Sequence, residues 1–174
     1  MLDVAVAYNR YKFLGHEFLT WLWFAIENDN KEFKGVWDQP FKLQVGNRVA
    51  LENRAHGVIE SVVIKGDDAG LEEGMLALSK GAVVTELNLE FTSESLKWLF
   101  TIKGENLNVS SLKIPPTAPI EKPEDLEGAV IEKADLYDAA IQLIDRLFHT
   151  YIHLRLSRQW SQDVVPKIKS WFQQ

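Results

Sequence analysis

Apolar residues recur along residues 127–160 at Val130, Ala134, Tyr137, Ile141, Ile144, Phe148 and Tyr151, in steps of three and four. That spacing is one face of a helix. A second row, Leu136, Ala140, Leu143, Leu147 and Leu154, widens the stripe, while Asp135, Asp138, Gln142, Asp145, His149 and His153 fall on the other side. No Gly or Pro interrupts the chain between Gly128 and Pro166. The pattern predicts one helix of about 30 residues, about 45 Å long. So long a stripe needs a large partner surface, supplied by the rest of the chain and by a second subunit.

Residues 11–28 are apolar on nearly every side after Glu17, with Phe18, Trp21, Leu22 and Ala25 at helical spacing. A helix hydrophobic all round is buried on more than one face. Trp21, Trp23 and Phe24 are therefore read as core or as candidates for a dimer contact. The period then changes to two. Phe41-Lys42-Leu43-Gln44-Val45 and Arg48-Val49-Ala50-Leu51-Glu52 alternate on either side of Gly46-Asn47, which predicts a hairpin. His56-Gly57 predicts another turn, residues 58–64 a β-branched third strand, and Leu71, Met75, Leu76 and Leu78 a short helix stopped by Gly81. Val83, Thr85, Leu87, Leu89 and Phe91 should share the buried face of a strand, opposite Glu86, Asn88 and Glu90. Residues 92–95 form a loop, residues 96–103 return, and residues 107–114 add a third strand, giving an antiparallel meander. The prolines of residues 115–123 form an extended connector to the long helix. Strands and helices are segregated, so the expected fold is α+β: an antiparallel sheet of hairpins and meander packed with helices, as one domain over residues 1–174.

At 174 residues and 46% hydrophobic, the chain can build a real core. Without cysteine it has no disulfide, zinc–thiolate site or cysteine nucleophile. No apolar run reaches the ~18 residues that cross a bilayer, and the first ten residues lack the features of a secretory leader. A cytoplasmic location and no membrane partner are expected. The net charge of −6 is uneven: residues 67–129 hold five Lys/Arg against twelve Asp/Glu, while residues 130–174 hold six against five. Bulk acidity disfavours nucleic-acid binding, but the field that matters is that of a local surface.

Candidate chemistry is sparse. Asp145, His149 and His153 lie one helical turn apart, a spacing compatible with a shared metal but more often a solvated face. Asp67, Asp68, Glu72 and Glu73 could contribute to a metal-dependent nuclease, though acidic turns usually just begin helices. His16-Glu17 reads as early-turn chemistry of its helix. There is no phosphate loop, dinucleotide fingerprint or nucleophile elbow. No cofactor, metal or catalytic residue is therefore assigned. Arg155 and Arg158, near Trp160, with Lys167 and Lys169 beyond them, suit a helix C-terminus or a phosphate-contacting patch, alongside Lys80, Lys97, Lys103 and Lys113.

Several segments in order resemble one family. Phe13-Leu14-Gly15-His16-Glu17-Phe18-Leu19-Thr20-Trp21-Leu22-Trp23 is similar to the opening of short members of the RdgC family of recombination-associated proteins. Leu76-Ala77-Leu78-Ser79-Lys80-Gly81-Ala82-Val83-Val84-Thr85-Glu86-Leu87 resembles its helix-then-strand segment, and Ser111-Leu112-Lys113-Ile114-Pro115 a strand end. Leu143-Ile144-Asp145-Arg146-Leu147-Phe148 and Arg155-Leu156-Ser157-Arg158-Gln159-Trp160 resemble its C-terminal helix. The resemblance implies a nucleoid-associated homodimer that encircles double-stranded DNA without sequence preference and competes with the RecA recombinase. It carries basic residues over to Lys80, Lys113, Arg155 and Arg158. The chain lacks the long N-terminal half of the well-studied members, which leaves ring closure open. Two alternatives stand beside it: an acidic protein-interaction module of phage or prophage origin, and a metal-dependent nuclease.

Overall fold

Helix α1 (Phe13–Asn28) sits at the centre of the molecule. The computed structural model describes residues 10–28, 30–53, 60–64 and 68–173. Phe18, Leu19, Trp21, Leu22, Trp23 and Ala25 are all nearly inaccessible, because α1 is packed against the sheet on one side and two C-terminal helices on the other. Each large side chain so buried contributes about 1.5–3 kcal/mol relative to exposure. Gly15 permits the closest approach: a Cβ there would lie 1.8 Å from the backbone oxygen of Gly104.

A 3₁₀ turn (Asn30–Phe33) leads to β1 (Phe41–Asn53), followed by β2 (Glu60–Ile64), α2 (Asp68–Ser79), β3 (Val83–Ser93), β4 (Leu96–Lys103) and β5 (Val109–Lys113). The five strands form one antiparallel sheet in the order β2-β1-β3-β4-β5. The long helix α3 (Asp125–Arg155), a π-helical turn (Trp160–Val164) and α4 (Val165–Trp171) complete the described chain. The fold is α+β, as the segregated pattern requires. Trp98, on the buried face of β4, donates from Nε1 to the Leu136 carbonyl at 2.8 Å and ties α3 to the sheet. The prolines of residues 115–119 fall in a connector without regular structure.

The structure corrects several expectations. Gly46-Asn47 does not make a hairpin, because β1 continues through it as one 13-residue strand with a bulge, its pairing with β3 jumping from Val45–Leu89 to Val49–Leu87. The Asn88 side chain supports that bulge. Its Oδ1 accepts from the Asn47 N–H at 3.2 Å, and its Nδ2 donates to the Phe100 carbonyl and to Thr101 Oγ1 at 3.1 and 3.0 Å. Val84, not Val83, faces the core, because a second irregularity at Thr85 shifts the alternation: Ala50 pairs with Glu86 but Leu51 with Val84. The loop at residues 92–95 narrows to Glu94 and Ser95, since Ser93 already pairs with Leu96.

The long helix stops at Arg155 instead of running to Trp160. The Ser157 hydroxyl donates to the Leu154 carbonyl at 2.7 Å, a local bond that competes with helix continuation. The chain then turns so that Trp160 packs edge-on to Tyr151, with ring centroids 5.6 Å apart. The buried stripe is also narrower than the sequence pattern. Ala140, Leu143, Ile144, Leu147, Tyr151 and Leu154 are buried, whereas Val130, Tyr137 and Ile141 remain exposed. Trp21 and Trp23, offered as dimer contacts, lie inside this chain's own core, and Phe24 is half-buried against Trp171. The His56-Gly57 turn, Val58, Ile59 and Asp67 lie outside the described residues.

Candidate nucleic-acid interface

All helices that contact the sheet pack on its apolar face, so among the described residues the other face is open. Alternation decides which side chains reach it. On β3, Leu87, Leu89 and Phe91 point to the core, leaving Glu86, Asn88, Glu90 and Thr92 on the open side. Registered opposite them on β4 are Lys103, Thr101, Leu99 and Lys97. On β1, Lys42 stands opposite Thr92, and on β5, Lys113 stands opposite Leu99. Lys42, Thr92 and Lys97 thus form one row across three strands, spanning about 9.6 Å at the usual strand spacing. The bulge brings Arg48 to the same face, where it pairs with Glu86 at 3.3 Å.

The centre of this face is a shallow basin of about 770 Å³ lined by Arg48, Glu86, Asn88, Thr101, Lys103 and Lys113, among others. The open face carries Lys42, Arg48, Lys97, Lys103 and Lys113 against Glu86 and Glu90, with Lys12, Glu52 and Glu105 at its margin. The balance is positive in a chain whose net charge is −6. Lys97 pairs with Glu90 at 2.8 Å, and Lys97 and Arg48 are about half exposed. Such surface pairs contribute only ~0–1 kcal/mol, so either cation can exchange its carboxylate for a phosphate at little cost. No aromatic side chain of the described strands faces this side: Phe41, Phe91, Trp98 and Phe100 all belong to the core or pack against it.

The basic residues singled out in the sequence therefore divide. Lys97, Lys103 and Lys113 share the open face. Lys80 lies just beyond the end of α2, its carbonyl accepting from Asn53 Nδ2 at 3.2 Å. Arg155, Arg158, Lys167 and Lys169 belong to the helical side of the molecule. Arg155 is engaged structurally: its Nε donates to Glu17 Oε1 at 2.5 Å, and its guanidinium lies 5.9 Å from the ring centroids of Phe13 and Trp160. Lys167 pairs with Asp163 at 2.9 Å on the rim of a cavity of about 450 Å³ whose lining includes Trp21, Phe24 and Trp171. Arg158 and Lys169 are exposed. Lys42 and Arg48 did not emerge from the sequence. Lys42 could have, because the alternation that buries Leu43 places Lys42 on the opposite side; Arg48 could not, because its position depends on the bulge.

Several titratable groups of the helical layer have structural partners. The Tyr151 hydroxyl donates to Glu17 Oε1 at 2.6 Å; burial, and then the Glu17 carboxylate, push this phenol well above its ordinary value. His16 Nδ1 stands 3.1 Å from the Val84 carbonyl. His149 Nδ1 faces the backbone oxygen of Asp145, one turn earlier, at 2.8 Å, with the Asp145 carboxylate at 3.4 Å. Among the described residues, no three His, Asp or Glu side chains are grouped to hold a metal ion, and no helix is long and apolar enough to cross a membrane. Glu72 and Glu73 are exposed on α2. Comparisons with family models, with curated proteins and with solved structures return no match.

Proposed function

We propose that this chain is a non-enzymatic protein that binds double-stranded DNA without sequence preference through the open face of its sheet, and that it modulates recombination, as the RdgC resemblance implies. The observation that carries the reading is the cationic balance of that face in an acidic chain. Phosphate attraction depends on local Lys and Arg, not on total charge. The lack of aromatic side chains on the face among the described residues favours a duplex backbone over a single strand, whose bases need stacking platforms. A homodimer would present two such faces to one duplex. Competition with a recombinase then follows from occupancy of the same duplex.

The test is charge reversal on the face. Lys97→Glu, Lys103→Glu and Lys113→Glu together should abolish duplex binding at low salt while leaving the circular dichroism spectrum unchanged. Arg158→Glu with Lys169→Glu should have a small effect. Loss of binding only in the second pair would move the site to the helical side.

A second reading, a protein-interaction module, is favoured by the exposed apolar half of α3 and by the overall acidity. It separates from the first by binding: folded protein with no affinity for duplex at low salt would leave only this reading.

A further inference from the structure

The N-terminal half of α3 carries an apolar stripe that nothing among the described residues covers. Leu126, Val130, Ile131, Tyr137 and Ile141 are between 47% and 59% exposed. Their arrangement is regular. Val130, Ala134, Tyr137, Ile141, Ile144, Phe148 and Tyr151 alternate in steps of four and three, the a/d seam of a coiled coil. The C-terminal part of the seam is occupied within the chain, where Phe148 and Tyr151 pack on Phe18 of α1 with centroids 5.2 and 5.5 Å apart. The N-terminal part continues the same seam past the edge of the core.

We infer that a second copy of this chain packs antiparallel along that half of α3, forming a two-fold helix pair. Antiparallel a/d layering sets Val130 of one copy against Ile141 of the other, and Ala134 against Tyr137. Small thus meets large in the central layers, as good packing requires. The axis lies midway between Ala134 and Tyr137, so the surface is self-complementary, the condition for a closed dimer. Charge selects the direction. Glu121, Glu124, Asp125 and Glu127 crowd the start of α3. Parallel helices would set two such clusters side by side. Antiparallel helices separate them by more than the length from Val130 to Ile141, about 16 Å, which exceeds the screening length of ~8 Å at physiological salt. A free two-heptad helix pair would be marginal. Here each helix is already formed, anchored through Trp98 and the core, so association does not bear the cost of nucleation. The inference does not depend on DNA binding.

The experiment is a solution mass measurement on purified protein without DNA, combined with cysteine cross-linking in a chain that has no cysteine of its own. The mass should be twice 19.9 kDa and fall to that of one chain in Tyr137→Glu/Ile141→Glu, both exposed positions, with an unchanged far-UV circular dichroism spectrum. Val130→Cys/Ile141→Cys should form a disulfide-linked dimer on oxidation, and Val130→Cys alone should not. A monomer at all concentrations, or a dimer that survives Tyr137→Glu/Ile141→Glu, overturns the proposal. Efficient cross-linking of Val130→Cys alone overturns the antiparallel arrangement. DNA affinity, measured separately, reports on the sheet face and not on this dimer.

Discussion

Tyr151 and Glu17 lie 134 residues apart in sequence, yet the Tyr151 hydroxyl donates a 2.6 Å hydrogen bond to the Glu17 carboxylate. Arg155 binds the same oxygen, Glu17 Oε1. This link joins the central helix to the end of the long one, beside the aromatic cluster of Phe18, Trp21 and Phe148. Tyr151→Phe removes one hydrogen bond to a charged acceptor and should destabilise the fold by about 1–2 kcal/mol in urea unfolding at neutral pH.

The same phenol makes stability depend on alkaline pH. Tyr151 holds its proton in the folded state well above the ordinary tyrosine value, through burial and Glu17. The contribution is therefore complete below the unfolded value of about 10. It decreases as pH rises beyond that value, because the unfolded chain releases a proton that the native state keeps. Unfolding midpoints from about pH 9 to about pH 11 should fall more steeply in the wild type than in Tyr151→Phe. Parallel curves would remove Tyr151 as the source.

Arg155 belongs with this prediction and not with DNA contact. Arg155→Ala leaves the partly buried Glu17 carboxylate with only Tyr151 among the described residues, and should cost about 1–3 kcal/mol of stability. Duplex affinity, measured well below the new unfolding midpoint, should change less than threefold.

The bulge in β1 yields a separate prediction. A Cβ on Gly46 would lie 1.9 Å from Asn88 Oδ1. Gly46→Ala should therefore destabilise by about 1–3 kcal/mol through overpacking. Adding Asn88→Ala removes the clash, so the double variant should be less unstable than the sum of the two single variants. Additive losses in denaturant midpoints would mean that Asn88 does not fill the bulge.

The elements with long-range periodicity were legible in the sequence: α1, the strands, the short helix before Gly81 and the long helix. What escaped was set by contacts between distant residues. Gly46-Asn47 has the chemistry of a hairpin turn, and only the Asn88 side chain, 41 residues away, converts it into a bulge. The exposed and buried halves of α3 share one heptad pattern, and their difference depends on how far the core formed by α1 and the sheet extends along the helix, which periodicity cannot give. The site was half legible for the same reason. Lys97, Lys103 and Lys113 could be picked out as cations, but their common face follows from strand register. Arg155 and Arg158, adjacent by pattern, separate because Glu17 engages only the first.

A salt titration of duplex binding tests the open sheet face most directly. With about four phosphates neutralised, affinity should fall about 100-fold between 50 and 200 mM salt. Lys42→Gln, which removes one open-face cation, should make the slope shallower by about one unit of log K per log salt. Folded wild-type protein that fails to bind duplex at 50 mM salt, or binds with an affinity indifferent to salt, would contradict the account.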